Sequence, residues 1–197
     1  GVDLQTMMNL VSDHSDGTDP YEPHRPTMPS TWSVCVHQPN TPRGGASTAA
    51  TLIAHLCSDG SRLPVYWCSF YSPCLGIFLP IFSEGVVPNV LGVGGKEASD
   101  DSPWWLFRRL ERRTRIGLDY DPDMVDAIRD EWKPLQQEFV KSAYEIASQA
   151  HKFVQEGEFR EATKLTTAYM DSNTEKVLNK VRQVLSQTTP TTLAASD

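Results

Sequence analysis

Residues 65–82 read VYWCSFYSPCLGIFLPIF, and the fold follows from how this run divides. Its first part, residues 65–71, is aromatic, β-branched and uncharged, the composition of a buried strand. Strand side chains alternate between faces, so the odd offset between Trp67 and Phe70 puts the two rings on opposite faces. Each face then needs a covering layer. In the second part, residues 76–82, Pro80 has no amide hydrogen to give to a ladder, which confines that strand to an edge or an irregular stretch.

Upstream, CSDGSRLP contains Asp59-Gly60, a tight-turn pair. Before it, STAATLIAHL at 47–56 reads as a second strand with β-branched Thr and Ile inside it, and His55 as a satisfied sheet histidine. QPNTPRGGA at 38–46 reads as a turn. WSVCVH at 32–37 is a further strand candidate, with Val34 and Val36 on one face and Cys35 and His37 on the other. Strands this closely spaced between turn signals indicate an antiparallel sheet. Residues 13–31, with prolines at 20, 23, 26 and 29, read as a loop. Residues 2–12 read as a short helix, with Leu4, Met7, Met8 and Val11 on one face.

Downstream the character changes near residue 103. A helix is expected from Trp104 to Ile116. Asp121-Pro122 is an N-cap followed by proline at the first helical position. Val125, Ile128, Trp132, Leu135, Phe139, Ala143, Ile146, Ala150 and Phe153 then recur at helical spacing, through a kink at Pro134, to a stop at Gly157. More helix follows over 158–187, with a break expected where Ser172 and Glu175 form a capping box. The fold class is therefore α+β: a sheet-rich half over 1–103, a helical half of the same domain over 104–187, and a flexible tail over 188–197.

Composition excludes several functions. With 39% apolar residues the 197-residue chain can build a core, and no run approaches the length of a spanning helix, so no membrane partner is expected. The net charge of −7 argues against nucleic acid. The basic cluster Arg108, Arg109, Arg112, Arg113 and Arg115 reads as a solvated face, with Glu111 paired to Arg115. LGVGGKE at 91–97 lacks the Ser or Thr and the spacing of a phosphate loop. The four cysteines, Cys35, Cys57, Cys68 and Cys74, contain no CxxC and no zinc-ligand spacing. They are expected to be free thiols, which favours a reducing, cytoplasmic compartment. No metal and no cofactor are expected. Cys35 and His37 would be about 7 Å apart along a strand, too far to act as a nucleophile–base pair. Asp13-His14, at a helix end, reads as a capping or solvated pair.

One ordered constellation goes further. Ser12-Asp13-His14 ends a helix; Cys35-Val36-His37, Ser47-Thr48-Ala49-Ala50, and Trp67 through Pro73-Cys74, Phe78 and Pro80 follow. This order resembles the C-terminal half of the dipeptidase/secernin family of cysteine N-terminal-nucleophile hydrolases, with its LRDH-like helix end, CMH-like strand, TTASM-like strand and W.T...PC.S.F.P.F strand pair. The resemblance covers residues 4–82. Ser12 stands where the family has Arg, and Ala49-Ala50 departs from TTAS. It implies the C-terminal part of an αββα sandwich, with antiparallel strands followed by long helices. It also implies peptide (amide) bond hydrolysis by a parent protein whose nucleophile, a processed N-terminal cysteine, is not among the residues here. A free α-amino group near pKa 8 serves there as base toward its own thiol. Asp13, Cys35 and His37 become candidate pocket-wall residues. The implied partners are the nucleophile-bearing N-terminal part of the same protein, a short peptide substrate and, for the unpaired sheet edge, a second copy in a homo-oligomer. Gly1, in place of an initiator Met, points to a fragment or a processed chain. The alternative reading is a noncatalytic secernin-like interaction or regulatory protein, and a third is a plain helical binding module.

Overall fold

The computed structural model describes residues 2–14, 34–37, 47–116 and 119–187. The turn expected at 38–46, most of the loop at 13–31 and the tail at 188–197 lie outside them. Among these residues the architecture is α+β, with a three-stranded antiparallel sheet and four helices.

Strand β2 (Val65–Phe70) is the middle strand, between β1 (Ala50–His55) and β3 (Leu79–Ile81). Ile53, Trp67 and Pro80 lie in register across the sheet, and all three are buried. Pro80 sits on an outer strand, where its missing amide hydrogen costs no ladder bond. Phe70 is on the other face, half-buried and stacked on Phe107 at 6.3 Å between ring centroids. The opposite-face expectation for Trp67 and Phe70 therefore holds. The same second face is bare along β1, where Ala50, Leu52 and Ala54 are exposed and Leu56 follows just beyond the strand.

Helix α1 (Leu4–Val11) is capped by Asp3, whose carboxylate accepts the Thr6 amide. Its Leu4 and Met8 are buried. Helix α2 (Pro103–Arg113) starts on a Ser102 cap with proline in its first turn. Two two-residue strands, β4 (Arg115–Ile116) and β5 (Asp119–Tyr120), then reverse the chain. Helix α3 (Pro122–Gln155) begins on the Asp121 cap and runs through Pro134. Gly157, at a φ of +79°, releases the chain as expected. Helix α4 (Phe159–Gln187) returns antiparallel to α3, with Tyr169 against Ser142, Lys176 against Glu138 and Lys180 against Glu131.

Three expectations fail. The helix expected to run to Ile116 ends at Arg113, and Arg115–Ile116 pair as a strand instead. Helix α4 does not break at Ser172–Glu175. Met170, Asn173, Thr174, Val177 and Val181 form one continuous buried stripe, and packing of that stripe outweighs the local capping pattern. Residues 34–37 of the expected strand 32–37 are bends and irregular chain. Their backbone joins the neighbouring segment through Thr48, whose amide donates to the Val36 carbonyl and whose hydroxyl accepts the Val36 amide, both at 2.9 Å.

The helices hold the sheet by its irregular flank. From successive turns of α3, Arg129 donates to the Cys74 carbonyl and Trp132 to the Leu75 carbonyl, while Gln136 pairs with both the amide and the carbonyl of Phe78. Tyr144 of α3 meets His55 of β1 at 3.0 Å, and His55 also meets Arg62, so the sheet histidine is satisfied as expected.

Trp67→Ala is expected to cost about 3–5 kcal/mol, because it empties the centre of the buried face. Leu52→Ala, on the exposed row, should stay within about 0.5 kcal/mol. Urea unfolding of both variants checks the contrast, and equal losses would contradict this assignment of the two faces.

Candidate functional site

Three segments far apart in sequence bring four side chains to one point. His14 follows α1, Cys35 and His37 lie in the 34–37 segment, and Cys74 lies in the 3₁₀ turn Pro73–Leu75 after β2. Local geometry aims each of them. Asp13 is exposed, but its carbonyl accepts the Cys35 amide at 3.1 Å, which ties the end of α1 to the 34–37 segment. Tyr71 adopts a φ of +59°, unusual for a residue with a Cβ, and turns the chain out of β2 toward Cys74. Its amide is held by the Ala49 carbonyl and its ring by Trp104.

The His37 imidazole is the hub. Its Nε2 lies 3.0 Å from His14 Nε2, 3.1 Å from Cys74 Sγ and 3.5 Å from Cys35 Sγ. Its Nδ1 faces Ser72 Oγ at 3.3 Å and Glu111 Oε1 at 3.8 Å. Glu111 is buried in the last turn of α2 and bonded to the Arg115 guanidinium. Cys35 is fully buried and Cys74 nearly so.

The electrostatics divide the two thiols. A hydrogen bond from Cys74 is the main influence lowering the Cys35 pKa to about 3; burial opposes it, and His14 and His37 add to it. Cys74 is pushed well up, first by burial, then by its hydrogen bond with Cys35 and the charge there. Burial also works against charge on His37, but the Cys35 thiolate and the Glu111 carboxylate outweigh it and raise its pKa.

Of the residues singled out from the sequence, His14, Cys35, His37 and Cys74 belong to this cluster and Asp13 contributes its backbone, so His14 is not the capping or solvated residue expected of it. The strand-based separation of Cys35 and His37 is overturned: at 3.5 Å they are in contact, because a bent backbone lets side chains at i and i+2 converge. Nor is the Glu111–Arg115 pair part of a solvated face. The pair forms, but Glu111 points inward at His37. His14 and Cys74 stand in the ordered motifs, but like Glu111 and Ser72 they carry no spacing signal that joins them to His37, since the contacts span 23 residues from His14 and 37 from Cys74. The absence of a zinc pattern along the sequence does not carry over to space: two thiols and two imidazoles have their ligand atoms within 4.8 Å of one another.

In comparisons with known proteins the chain matches no family model, no curated protein and no solved structure.

Arg115→Ala is expected to cost about 3–5 kcal/mol by leaving the Glu111 charge buried without its guanidinium. Arg109→Ala, whose partner Asp100 is exposed, should cost no more than about 1 kcal/mol. Thermal and urea unfolding of the two variants check the ranking.

Proposed function

We propose that this chain is the C-terminal part of a dipeptidase-like, secernin-like hydrolase of peptide (amide) bonds, in which a separate N-terminal part supplies the nucleophile. The observation that carries the reading is the half-covered sheet. One face packs Ile53, Trp67 and Pro80 into the core, with His55 meeting α3, while the other, covered at Phe70 by Phe107 of α2, is bare along β1, where Leu52 and, just past the strand, Leu56 are exposed. A second sheet laid on that bare row completes an αββα sandwich, the fold that the ordered motifs imply. β1 also has no partner on its outer side among the described residues, so the same N-terminal part can extend the sheet there.

The thiols support this division of labour. A catalytic cysteine needs an electropositive, partly open setting. Cys35 is fully buried, and burial raises the pKa of Cys68. The resemblance assigns the reaction to an N-terminal cysteine whose own amino group takes the thiol proton. In this reading the described chain supplies a wall of the substrate pocket, with the Asp13–Cys35–His37 segment as part of it.

The test is reconstitution. The 197-residue chain by itself should not turn over dipeptides. Combined with the upstream part of its gene product, processed to an N-terminal cysteine, it should hydrolyse them and lose activity when that cysteine is alkylated. Leu52→Asp should abolish the association while leaving the chain folded by circular dichroism. Turnover by the chain alone would overturn the reading. A stable complex without turnover would favour the noncatalytic alternative.

A further inference from the structure

We propose that His14, Cys35, His37 and Cys74 form a closed, structural zinc site.

Crowding at His37 Nε2 is the first argument. A single ring nitrogen carries either one proton or one lone pair, so it can make one good hydrogen bond. Here it faces His14 Nε2, Cys35 Sγ and Cys74 Sγ at 3.0–3.5 Å. Three heteroatoms converging on one such atom are poorly explained by hydrogen bonding. They are well explained by four donors directed at a common centre between them. In a tetrahedral site with Zn–S near 2.3 Å and Zn–N near 2.0–2.1 Å, neighbouring donors lie about 3.3–3.8 Å apart. The three distances from Nε2 fall close to that range, and the whole set lies within 4.8 Å. Two thiolates with two imidazoles in a tetrahedron is a donor set that selects zinc over calcium or magnesium.

The surroundings supply an independent argument. Histidines that bind a metal usually give their other ring N–H to a carboxylate, which fixes the tautomer and strengthens the ligand. His37 has this arrangement: Nε2 faces the cluster while Nδ1 faces Glu111 and Ser72. Glu111 is itself oriented by Arg115, and the Cys74 carbonyl is held by Arg129. Buried glutamate is otherwise costly in a protein interior. Its place behind His37 gives it a use.

Charge and role both follow. In the zinc-bound site both cysteines are thiolates, which balance the dication, and the Glu111–Arg115 pair is neutral by itself. With four protein ligands no position is left for water or substrate, so the site is structural rather than catalytic. It joins the end of α1, the irregular 34–37 segment and the turn after β2. Closing loops of that length by side-chain contacts alone is entropically expensive, and a metal clip offsets the cost.

The test is metal analysis of the whole chain, purified without chelator, followed by cobalt substitution. The expected result is about one zinc per chain. After exchange, cobalt should give the intense visible bands of a tetrahedral site and a thiolate-to-cobalt charge-transfer band. Cys57→Ser and Cys68→Ser should leave both intact. Cys74→His keeps four ligands, so it should retain the metal with about half the charge-transfer intensity. Glu111→Gln should weaken zinc about 10–100-fold while leaving the cobalt spectrum tetrahedral. His14→Ala should lower metal content; if that variant does not fold, the wild-type spectrum and the Cys74→His variant decide. Folded protein that holds no zinc and stays colourless with cobalt would overturn the proposal. So would a native Cys35–Cys74 disulfide, or a charge-transfer band lost with Cys57→Ser or Cys68→Ser.

Discussion

The backbone of residues 74–78 lies between two strands and has no ladder partner of its own, yet it is packed into the interior. Buried amides and carbonyls have to be paired, and α3 does the pairing with side chains. Arg129, Trp132 and Gln136 reach from consecutive turns to the Cys74, Leu75 and Phe78 backbone. Much else depends on this clamp. It sets where β3 starts, and so how Pro80 comes to lie beside Trp67. It also fixes Cys74 with respect to the helices, which brings that thiol to His37. Gly76 permits the turn to be this tight: a Cβ there would stand 2.5 Å from the Ser69 hydroxyl.

The second fixed point is the last turn of α2. Arg113 donates to the Leu185 carbonyl of α4, and Glu111 turns inward to His37. One helical turn therefore ties the helical layer on one side and the cluster on the other. A carboxylate buried at such a place is held on both flanks, by the Arg115 guanidinium and by the His37 ring. The cluster is consequently a rigid feature built from the core outward, not a surface assembly of polar residues.

This rigidity separates two properties of the chain that its motifs alone run together. The Cys-x-His and Pro-Cys elements belong to the resemblance to the dipeptidase/secernin family, and a cysteine beside a histidine invites a catalytic reading. Burial argues otherwise: Cys35 is entirely enclosed and Cys74 nearly so. Their chemistry is directed inward, to one another and to two imidazoles. The exposed apolar row on β1 is directed outward.

Much of the fold was legible because it rests on local rules. The composition of residues 65–71 marks the central strand, Pro80 marks an outer one, Asp121-Pro122 starts the long helix and Gly157 ends its last turn. Each of these acts within a few residues of itself. The continuity of α4 was not legible, because the Ser172–Glu175 signal is local while the buried stripe that overrides it exists only against the rest of the core. The site was least legible of all. His14 and Cys74 reach His37 across 23 and 37 residues, and Glu111 reaches it from the far half of the chain. The sequence by itself determined the secondary-structure alphabet and the α+β class, since periodicity and propensity are short-range properties. Only the tertiary structure decided which thiols, imidazoles and carboxylate meet, because a ligand set is a coincidence of positions in space and leaves no regular spacing along the chain.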